Sequence, residues 1–203
     1  MGDRTSHWEK VYTKAEDMVS WFQENPTASL RLIRDAGATP HSRIIDIGGG
    51  ASRLIDALLK QGFLAPTVLD ISASALKTAK TRLGAASAKV EWIVADVTKW
   101  TPAKCYDIWH DRAAFHFLTK TADRDAYIDR LCSAIAPGGQ VIIGTFALDG
   151  PEKCSGLPVQ RYDSRSLADV LGPAFELADG FTELHRTPWG SIQRFHFSRF
   201  RRV

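Results

Sequence analysis

A run of glycines is the feature of this sequence best suited to holding a ligand. Gly48, Gly49 and Gly50 follow a short apolar run that has the character of a β-strand. Glycine lets the backbone turn tightly out of a strand and approach a ligand closely, while the next helix presents free N–H groups. The pyrophosphate-binding pattern GxGxxG would require glycine at position 53, where the chain has Arg53. The loop therefore fits a ligand without a pyrophosphate better than a dinucleotide.

Two acidic residues farther along the chain are placed to hold a nucleoside. Asp70 follows a second apolar run and lies 20 residues after Gly50, the separation at which a carboxylate binds both hydroxyls of a ribose. Asp96 follows a third apolar run and can accept a hydrogen bond from an adenine amino group, because an ionised carboxylate is only an acceptor. The structural alternatives are a helix cap at Asp70 and a turn at Asp96.

The glycine run and these acids resemble a known family in their order and spacing. The motifs, over roughly residues 40–147, are similar to those of the class I S-adenosylmethionine-dependent methyltransferases: Asp46-Ile-Gly-Gly-Gly, Asp70, Ala95-Asp96 and Pro137-Gly138-Gly139. The resemblance implies S-adenosylmethionine as the cofactor, S-adenosylhomocysteine as its product, and no metal. It also implies that the methionine part lies at the glycines and Asp46, the ribose at Asp70 and the adenine at Asp96. The cofactor-binding residues it implies are Asp46, Gly48, Gly49, Gly50, Asp70, Ile71, Asp96, Val97 and His110.

Residues at the end of the fourth apolar run are the candidates for contact with the methyl acceptor. Methyl transfer is an in-line displacement that mainly requires alignment and a dry pocket, so a base is needed only when the acceptor carries a proton. The predicted catalytic residues are His116 and Asp111. The alternatives are a packed structural role for His116, between two phenylalanines, and an ion pair of Asp111 with Arg112. Arg112 would suit an acceptor with a carboxylate, because a guanidinium binds such groups bidentately.

Aromatic residues near the N-terminus and a long segment after the fifth apolar run complete the predicted acceptor pocket. The stretch 7–12, followed by Trp21 and Phe22, is similar to the lead-in of some protein-lysine and small-molecule methyltransferases, where it folds over the cofactor. Its alternative is a helix that packs aromatic side chains on the core. The segment 146–160 is long for a connection and predicts a lid or substrate wall, with an ordinary loop thiol as the alternative for its cysteine. The predicted pocket residues are Tyr12, Trp21, Arg112, Phe146 and Cys154.

Alternating strand and helix patterns predict the fold that positions these residues. Short β-branched runs, separated by segments of helical spacing, indicate right-handed crossovers and a mostly parallel sheet covered on both faces. We therefore predict a doubly wound, seven-stranded α/β fold, Rossmann-like, whose last two strands form an antiparallel hairpin at the sheet edge. The predicted strands are 43–47, 67–71, 90–94, 106–110, 140–146, 175–185 and 192–200. The predicted helices are 26–36, 54–62, 72–83, 127–135 and 166–171, with a loop at 137–139.

Length and composition indicate one ordinary globular domain. The chain has 203 residues, of which 44% are hydrophobic and 24% charged, and this fits a single domain over 1–203. Within it we predict an N-terminal lid at 1–25, a cofactor-binding core at 40–147, and a substrate-side loop with the C-terminal hairpin at 148–203. The 3 cysteines are far apart and form neither a disulfide framework nor a CxxC metal site.

Charge and hydropathy argue against several classes of partner. A net charge of +3 is too small to indicate nucleic acid, and the basic residues near the C-terminus are interpreted as a solvated strand face and tail. The start of the sequence lacks the apolar stretch of a signal peptide, and no run is long enough to span a bilayer, so we expect a cytoplasmic protein without membrane contact. The expected acceptor is a small molecule or, as the alternative, a protein lysine, and the expected assembly is a monomer or homodimer. A non-catalytic S-adenosylmethionine-binding regulator and an oxidoreductase are the alternatives of another class.

Overall fold

A mostly parallel sheet of seven strands organises the chain in the computed structural model, which describes residues 2–13 and 18–203. The strands of this sheet are β1 (Ile44–Ile47), β2 (Thr67–Asp70), β3 (Glu91–Val94), β4 (Tyr106–Arg112), β5 (Ile135–Phe146), β8 (Phe175–Arg186) and β9 (Ile192–Arg202). A separate hairpin consists of β6 (Lys153–Cys154) and β7 (Leu157–Pro158). The helices are α1 (Gly2–Val11), α2 (Thr27–Asp35), α3 (Leu54–Lys60), α4 (Ala73–Leu83), α5 (Thr121–Ala134) and α6 (Ser164–Leu171). None of the helices in this described part combines the length and the apolar character of a membrane span. Residues 1 and 14–17 of the predicted N-terminal lid lie outside the described residues.

The strand order is β3-β2-β1-β4-β5-β9-β8, and it confirms the predicted fold class. The strands β1 to β5 pair in parallel, whereas β9 runs antiparallel to both of its neighbours, β5 and β8. The order of the strands along the chain reverses between β1 and β4. Open α/β sheets bind their ligands at such a switch point, beyond the carboxyl ends of the strands.

Two buried apolar clusters cover the two faces of the sheet. Neighbouring residues of one strand belong to opposite clusters, as Ile108 and Trp109 do on β4 and Ile142 and Ile143 do on β5. This division arises because successive side chains of a strand point to opposite faces. Helix α5 packs on the face of Trp109, and α2 packs on the face of Ile108. Burial on both faces explains why β1, β2 and the second half of β5 are mostly apolar instead of alternating with polar residues.

The connection into β5 differs from the prediction. Helix α5 ends at Ala134, and Ile135, which was expected to be helical, already pairs with Tyr106 in the sheet. The register then shifts between Tyr106 and Ile108, so the predicted loop 137–139 is an irregular stretch within β5. Gly138 has a φ of +85° there, a conformation that glycine adopts without steric cost and that suits a bulge.

Strand β4 also extends beyond its predicted end at His110. It continues through Asp111 to Arg112. Asp111 pairs with Ile47 on one side and Ile143 on the other, so it lies inside the sheet instead of on a loop after it. This placement brings Arg112, the last residue of the strand, to the carboxyl edge.

Candidate functional site

A cavity that is partly open to solvent lies at the carboxyl edge of the sheet, with about 750 Å³ of space between and outside its walls, and we call it the first compartment. The predicted cofactor residues that line it are Gly48, Asp70, Ile71, Asp96 and Val97. The predicted pocket residues that line it are Tyr12, Trp21, Arg112 and Cys154. The other lining residues are Arg4, Trp8, Ile47, Leu69, Ala95, Ala113, Ala114, Phe117 and Leu118. Strand ends, the N-terminal helix and the segment after β5 therefore meet around one space.

A second compartment, also partly open to solvent, adjoins the first and has about 560 Å³ of space between and outside its walls. The two have Tyr12, Trp21, Gly48 and Arg112 as common wall residues. The predicted cofactor residues found only in the second are Asp46, Gly49 and His110. Its further lining residues are Val19, Phe22, Gln23, Pro26, Ser29, Ala51, Ser52 and Arg53. The second compartment is thus the more polar continuation of the first, on the side of the glycine loop.

The glycine loop depends on glycine at two positions: Gly48 lines both compartments, whereas Gly50, which was also predicted to bind the cofactor, lines neither. Gly48 and Gly50 have φ values of +64° and +47°, which side chains rarely allow. A Cβ atom on Gly48 would lie 2.7 Å from the Cβ of Ala114. A Cβ atom on Gly50 would lie 2.7 Å from Tyr12 Oη and 3.0 Å from Asp70 Oδ2. The loop therefore brings bare backbone against the residues of the cavity wall.

Asp70 is a buried carboxylate with one oxygen directed to this loop. Its Oδ1 accepts a hydrogen bond of 2.8 Å from the Ser72 N–H. The pKa of Asp70 is raised to about 7, chiefly by burial; the Ser72 N–H opposes the rise, the charges of Asp46 and Glu9 add to it, and the Gly50 N–H opposes it. The helix-cap alternative does not hold, because Ser72 caps α4 through its own hydroxyl, which accepts from Ala75 N–H.

A chain of buried hydrogen bonds lies in the wall of the second compartment. His110 Nδ1 is 2.7 Å from Asp46 Oδ1, and His110 Nε2 is 2.8 Å from Ser29 Oγ. An ionised carboxylate only accepts, so Nδ1 carries a proton and donates to Asp46, and Nε2 pairs with the serine hydroxyl. All of these residues are at most 4% exposed. The chain fixes the carboxylate of Asp46 directly behind the glycine loop.

Asp96 forms a turn and also lines the first compartment. Its Oδ1 accepts from the Thr98 N–H at 3.0 Å and from the Thr98 hydroxyl at 2.7 Å. Its Oδ2 is 4.0 Å from Lys99 Nζ. The turn that we gave as the structural alternative is therefore present, and it holds one carboxylate oxygen while the residue remains in the cavity wall.

Helix α1 covers the first compartment and is tied down at both ends. Glu9 accepts hydrogen bonds from the first backbone N–H groups of α4, at Ala73 (2.6 Å) and Ser74 (3.3 Å). Arg4 forms an ion pair of 2.8 Å with Asp123 on α5. Trp8 packs edge-on against Phe117, with ring centroids 4.9 Å apart. The N-terminal aromatic residues therefore form a roof over the site and pack onto it at the same time.

Arg112 lies where the two compartments meet. Its Nη1 donates to the backbone oxygen of Trp21 at 2.8 Å, and its guanidinium lies 4.8 Å from the centre of the Phe195 ring. Its Nε and Nη2 are shielded from water and have no hydrogen-bond partner among residues 2–13 and 18–203. Burial lowers the pKa of Arg112 to about 10, so it remains a cation at neutral pH.

The structure does not bring the predicted catalytic residue Asp111 to either compartment. Asp111 is fully buried and accepts hydrogen bonds from the N–H groups of Ala114 (2.8 Å) and Phe115 (3.1 Å) and from the Tyr127 hydroxyl (2.8 Å). Burial raises its pKa to about 6. These bonds hold the turn after β4, and they replace the ion pair with Arg112 that was the structural alternative for Asp111.

His116 and Phe146 are likewise behind the cavity walls. The His116 ring is fully buried, and its Nδ1 accepts from the Phe146 N–H at 3.4 Å. Burial, followed by the charge of Arg112, lowers the pKa of His116 to about 3. Phe146 packs against this ring and against Phe195. Cys154 does reach the first compartment, where burial raises the pKa of its thiol to about 11.

Several wall residues escaped the sequence reasoning although the sequence contains a signal for some of them. Arg4 precedes Trp8 and the predicted pocket residue Tyr12 by four and eight residues, a spacing that predicts one helical face. Ser29 stands on the otherwise apolar buried face of α2, where a polar side chain requires a partner. No comparable signal identifies Phe117, because its place depends on the turn after β4.

Comparison with known proteins agrees with this architecture. Residues 44–139 match the family model of a methyltransferase domain. Malonyl-[acyl-carrier protein] O-methyltransferase 2 of Ilyobacter polytropus is 30% identical over 143 residues, which are 70% of this chain and 49% of that protein. The chain thus spans about half the length of the curated relatives that it matches.

Solved structures show the same fold over nearly the whole chain. N-methyltransferase NodS of Bradyrhizobium japonicum, in complex with S-adenosyl-L-homocysteine, is similar with a TM-score of 0.76 and 20% identity, over 98% of this chain and 99% of that one. A 1,6-didemethyltoxoflavin-N1-methyltransferase of Burkholderia thailandensis is similar with a TM-score of 0.68 and 19% identity, over 98% and 84%. The chain thus carries a methyltransferase domain, matched over residues 44–139, and shares the fold of methyltransferases of known structure over nearly its whole length.

Proposed function

We propose that this protein transfers the methyl group of S-adenosylmethionine to a small-molecule acceptor held between the two compartments. The observation that carries the proposal is Asp70, a buried carboxylate in the wall of a cavity whose roof, α1, is pinned to the neighbouring helix α4. A buried carboxylate is costly unless a donor-rich ligand satisfies it. The two hydroxyls of a ribose are such donors.

The cofactor residues divide between the compartments in a way that suits the parts of S-adenosylmethionine. Asp70 would hold the ribose, and Asp96 the adenine amino group, with Ile71 and Val97 on the apolar faces of the base. The methionine part would extend over Gly48, Gly49 and Gly50 toward Asp46, which His110 holds in place. The fit rests on the close approach of bare backbone at Gly50 to Asp70 and Tyr12.

The bound cofactor supplies a methyl carbon activated by a sulfonium. A lone pair of the acceptor forms the new bond to that carbon, while the electrons of the carbon–sulfur bond remain on the sulfur. The protein's share is alignment and exclusion of water. Trp8, Tyr12 and Trp21 cover the cavity and keep it apolar at the reacting centre.

The predicted bases enter this proposal as positioning residues. Asp111 fixes the turn that carries Ala114 and Phe115, and His116 supports the backbone of Phe146. His110 lines the second compartment, but both of its ring nitrogens are engaged. We therefore propose that the reaction does not depend on a side-chain base at His116.

A small acceptor is favoured over a protein lysine by the shape of the site. The first compartment is roofed by α1 and bounded by Trp21, Phe117 and Cys154. The relatives named above act on a malonyl acyl-carrier protein and on 1,6-didemethyltoxoflavin. We further propose a single domain over 1–203 with the subdivision predicted from the sequence, a cytoplasmic location, a monomer or homodimer, and no nucleic-acid partner.

Two measurements test this function. Calorimetric titration should show saturable binding of S-adenosylmethionine and S-adenosylhomocysteine and none of NAD. A screen of small acids, amines, thiols and hydroxylated aromatics, with peptides as a second arm, should give a product heavier by one methylene when followed by mass. Absence of S-adenosylhomocysteine binding refutes the cofactor assignment, whereas methylation of peptides alone refutes the small-molecule acceptor.

A further inference from the structure

Arg112 is a buried cation that has no hydrogen bond to a carboxylate among residues 2–13 and 18–203. Only Nη1 has a hydrogen bond, to a backbone carbonyl, and no carboxylate of the described residues bonds to Nε or Nη2. Glu183 and Asp46 influence it only at longer range, and Glu183 receives its own bond from Gln23 at 3.3 Å. An unpaired buried charge is expensive, so a protein retains one where a ligand completes it.

The unused atoms of Arg112 form one edge of the guanidinium. Nε and Nη2 point in parallel, and this edge is one of those to which a carboxylate binds with two hydrogen bonds. The opposite side is fixed by the Trp21 carbonyl, and one face lies over the Phe195 ring. The edge is therefore held in one orientation, and because both atoms are shielded from water, a carboxylate reaches them only when a neighbouring wall side chain moves aside. The bond that it then makes is strengthened by the exclusion of water.

The charges around the two compartments favour an anion at Arg112, because the other wall cations, Arg4 and Arg53, pair with Asp123 and Glu24. Asp46, Asp70 and Asp96 line the cofactor side and repel a carboxylate. Arg112 is flanked by the neutral residues Trp21 and Cys154. An acceptor with an ammonium group would meet the opposite situation, because the guanidinium repels it.

We propose that Arg112 is the binding residue for a carboxylate of the methyl acceptor, so that the acceptors of this enzyme are small carboxylic acids. The proposal rests on the proposed function, since it assigns the acceptor to the space beside the cofactor. It makes Arg112 responsible for discrimination between an acid and its neutral amide.

The test uses the full chain, saturated with S-adenosylhomocysteine, and matched probe pairs: benzoate with benzamide, and 3-phenylpropionate with its amide. Binding is followed by calorimetry. We expect each acid to bind at least about tenfold more tightly than its amide. Arg112→Met should remove this preference by weakening the acids alone, and Arg112→Lys should restore part of it, because an ammonium keeps the charge but not the fork.

Arg194→Met is the matched control. Arg194 is half-exposed on β9 and pairs with Asp149, so its loss should leave both members of each probe pair unchanged. Melting curves show whether each variant is folded. If Arg112→Met does not fold, the loss of preference is measured with Arg112→Lys instead. Acids that bind no better than amides to the native chain, or a preference that survives in Arg112→Met, overturn the proposal.

The competing ligand for Arg112 is the carboxylate in the methionine part of the cofactor. S-adenosylhomocysteine and 5′-methylthioadenosine, which lacks the amino acid, separate the two. We expect Arg112→Met to bind both as the native chain does. A loss of at least about tenfold for S-adenosylhomocysteine alone assigns Arg112 to the cofactor and overturns the acceptor site. Failure of the native chain to bind S-adenosylhomocysteine refutes the proposed function instead, and the acid probes on the ligand-free chain then still test Arg112.

Discussion

The ends of β2 and β4 each carry a buried aspartate, and the two are used differently. Asp70 and Asp111 are 5% and 0% exposed, and burial raises the pKa of both. The carboxylate of Asp111 is surrounded by donors of the protein, including the Tyr127 hydroxyl. Asp70, by contrast, is itself a lining residue of the first compartment. The comparison teaches that a strand-end acid is a site candidate only when its surroundings leave part of it to a ligand.

Among the changes that test this comparison, removal of the Asp70 carboxylate should have the largest effect on cofactor binding. Asp70→Ala removes two charge-assisted hydrogen bonds to the ribose, each worth about 1.5–3 kcal/mol, so the dissociation constant for S-adenosylhomocysteine should rise at least about 100-fold. Asp107→Ala, at the other end of β4 and paired with exposed Arg43, should leave it unchanged. An unaltered constant in Asp70→Ala would remove the ribose role.

The same residue should show an opposite effect on stability. The folded-state pKa of Asp70 is about 7 and exceeds its ordinary value, so the ionised form weakens the ligand-free fold above that pH and the penalty disappears as the pH falls. Asp70→Asn should therefore melt at a higher temperature than the native chain at pH 8. A lower melting temperature would show that Asp70 is structural, as Asp111 is.

A substitution at the β4 end that removes a partner of Asp111 should change the stability of the fold and leave cofactor binding unaffected. Tyr127 donates to Asp111 and accepts from Trp109 Nε1 at 2.7 Å, so Tyr127→Phe leaves two buried groups short of a partner and should cost about 1–3 kcal/mol of unfolding free energy. Affinity for S-adenosylhomocysteine should not change. Tyr162→Phe is the matched control, because Tyr162 also packs on Phe115 but its hydroxyl has no partner in the described part of the chain. Equal losses in both variants would contradict this account.

Cofactor affinity should depend on pH through the β2 end. A protonated Asp70 offers one acceptor fewer to the ribose, and the groups facing it are Asp46, Glu9 and Tyr12. The affinity for S-adenosylhomocysteine should fall by up to about tenfold per pH unit below 7 and level off above it. Calorimetry in buffers of different ionisation enthalpy should detect proton release at pH 6.5. Asp70→Asn should abolish the slope, and a native chain without proton release would contradict the prediction.

The smallest effect on cofactor binding is expected from a substitution in α1, the helix that covers the first compartment. Glu9 reaches the start of α4, close to Asp70, but it is partly exposed and its bonds compete with water. Glu9→Gln should weaken S-adenosylhomocysteine binding only a few-fold and speed its dissociation in stopped-flow traces. Glu176→Gln, at an exposed position on the edge strand β8, should change neither the affinity nor the dissociation rate. A faster release in the control would show that general charge, not the contact with α4, controls the roof.

The sequence predicts the β2 end better than the β4 end for a physical reason. Asp46, Gly48 and Asp70 lie at or directly after the ends of their own strands, so spacing alone places them near the carboxyl edge. The roles of Asp111 and His116 depend on whether Tyr127 and Phe146 approach them, and those residues come from other elements. The same limit applies to the bulge in β5, which was expected to be a loop. Local order is readable from spacing, whereas satisfaction of buried polar atoms is a tertiary property.

The place of β9 between β5 and β8 has a consequence for synthesis of the protein. Until residues 192–202 have left the ribosome, β5 has an unpaired outer side and β8 has no neighbour in the sheet. Open strand edges recruit other chains. The nascent protein therefore passes through an interval in which it is exposed to misassociation, and that interval closes only with the last strand.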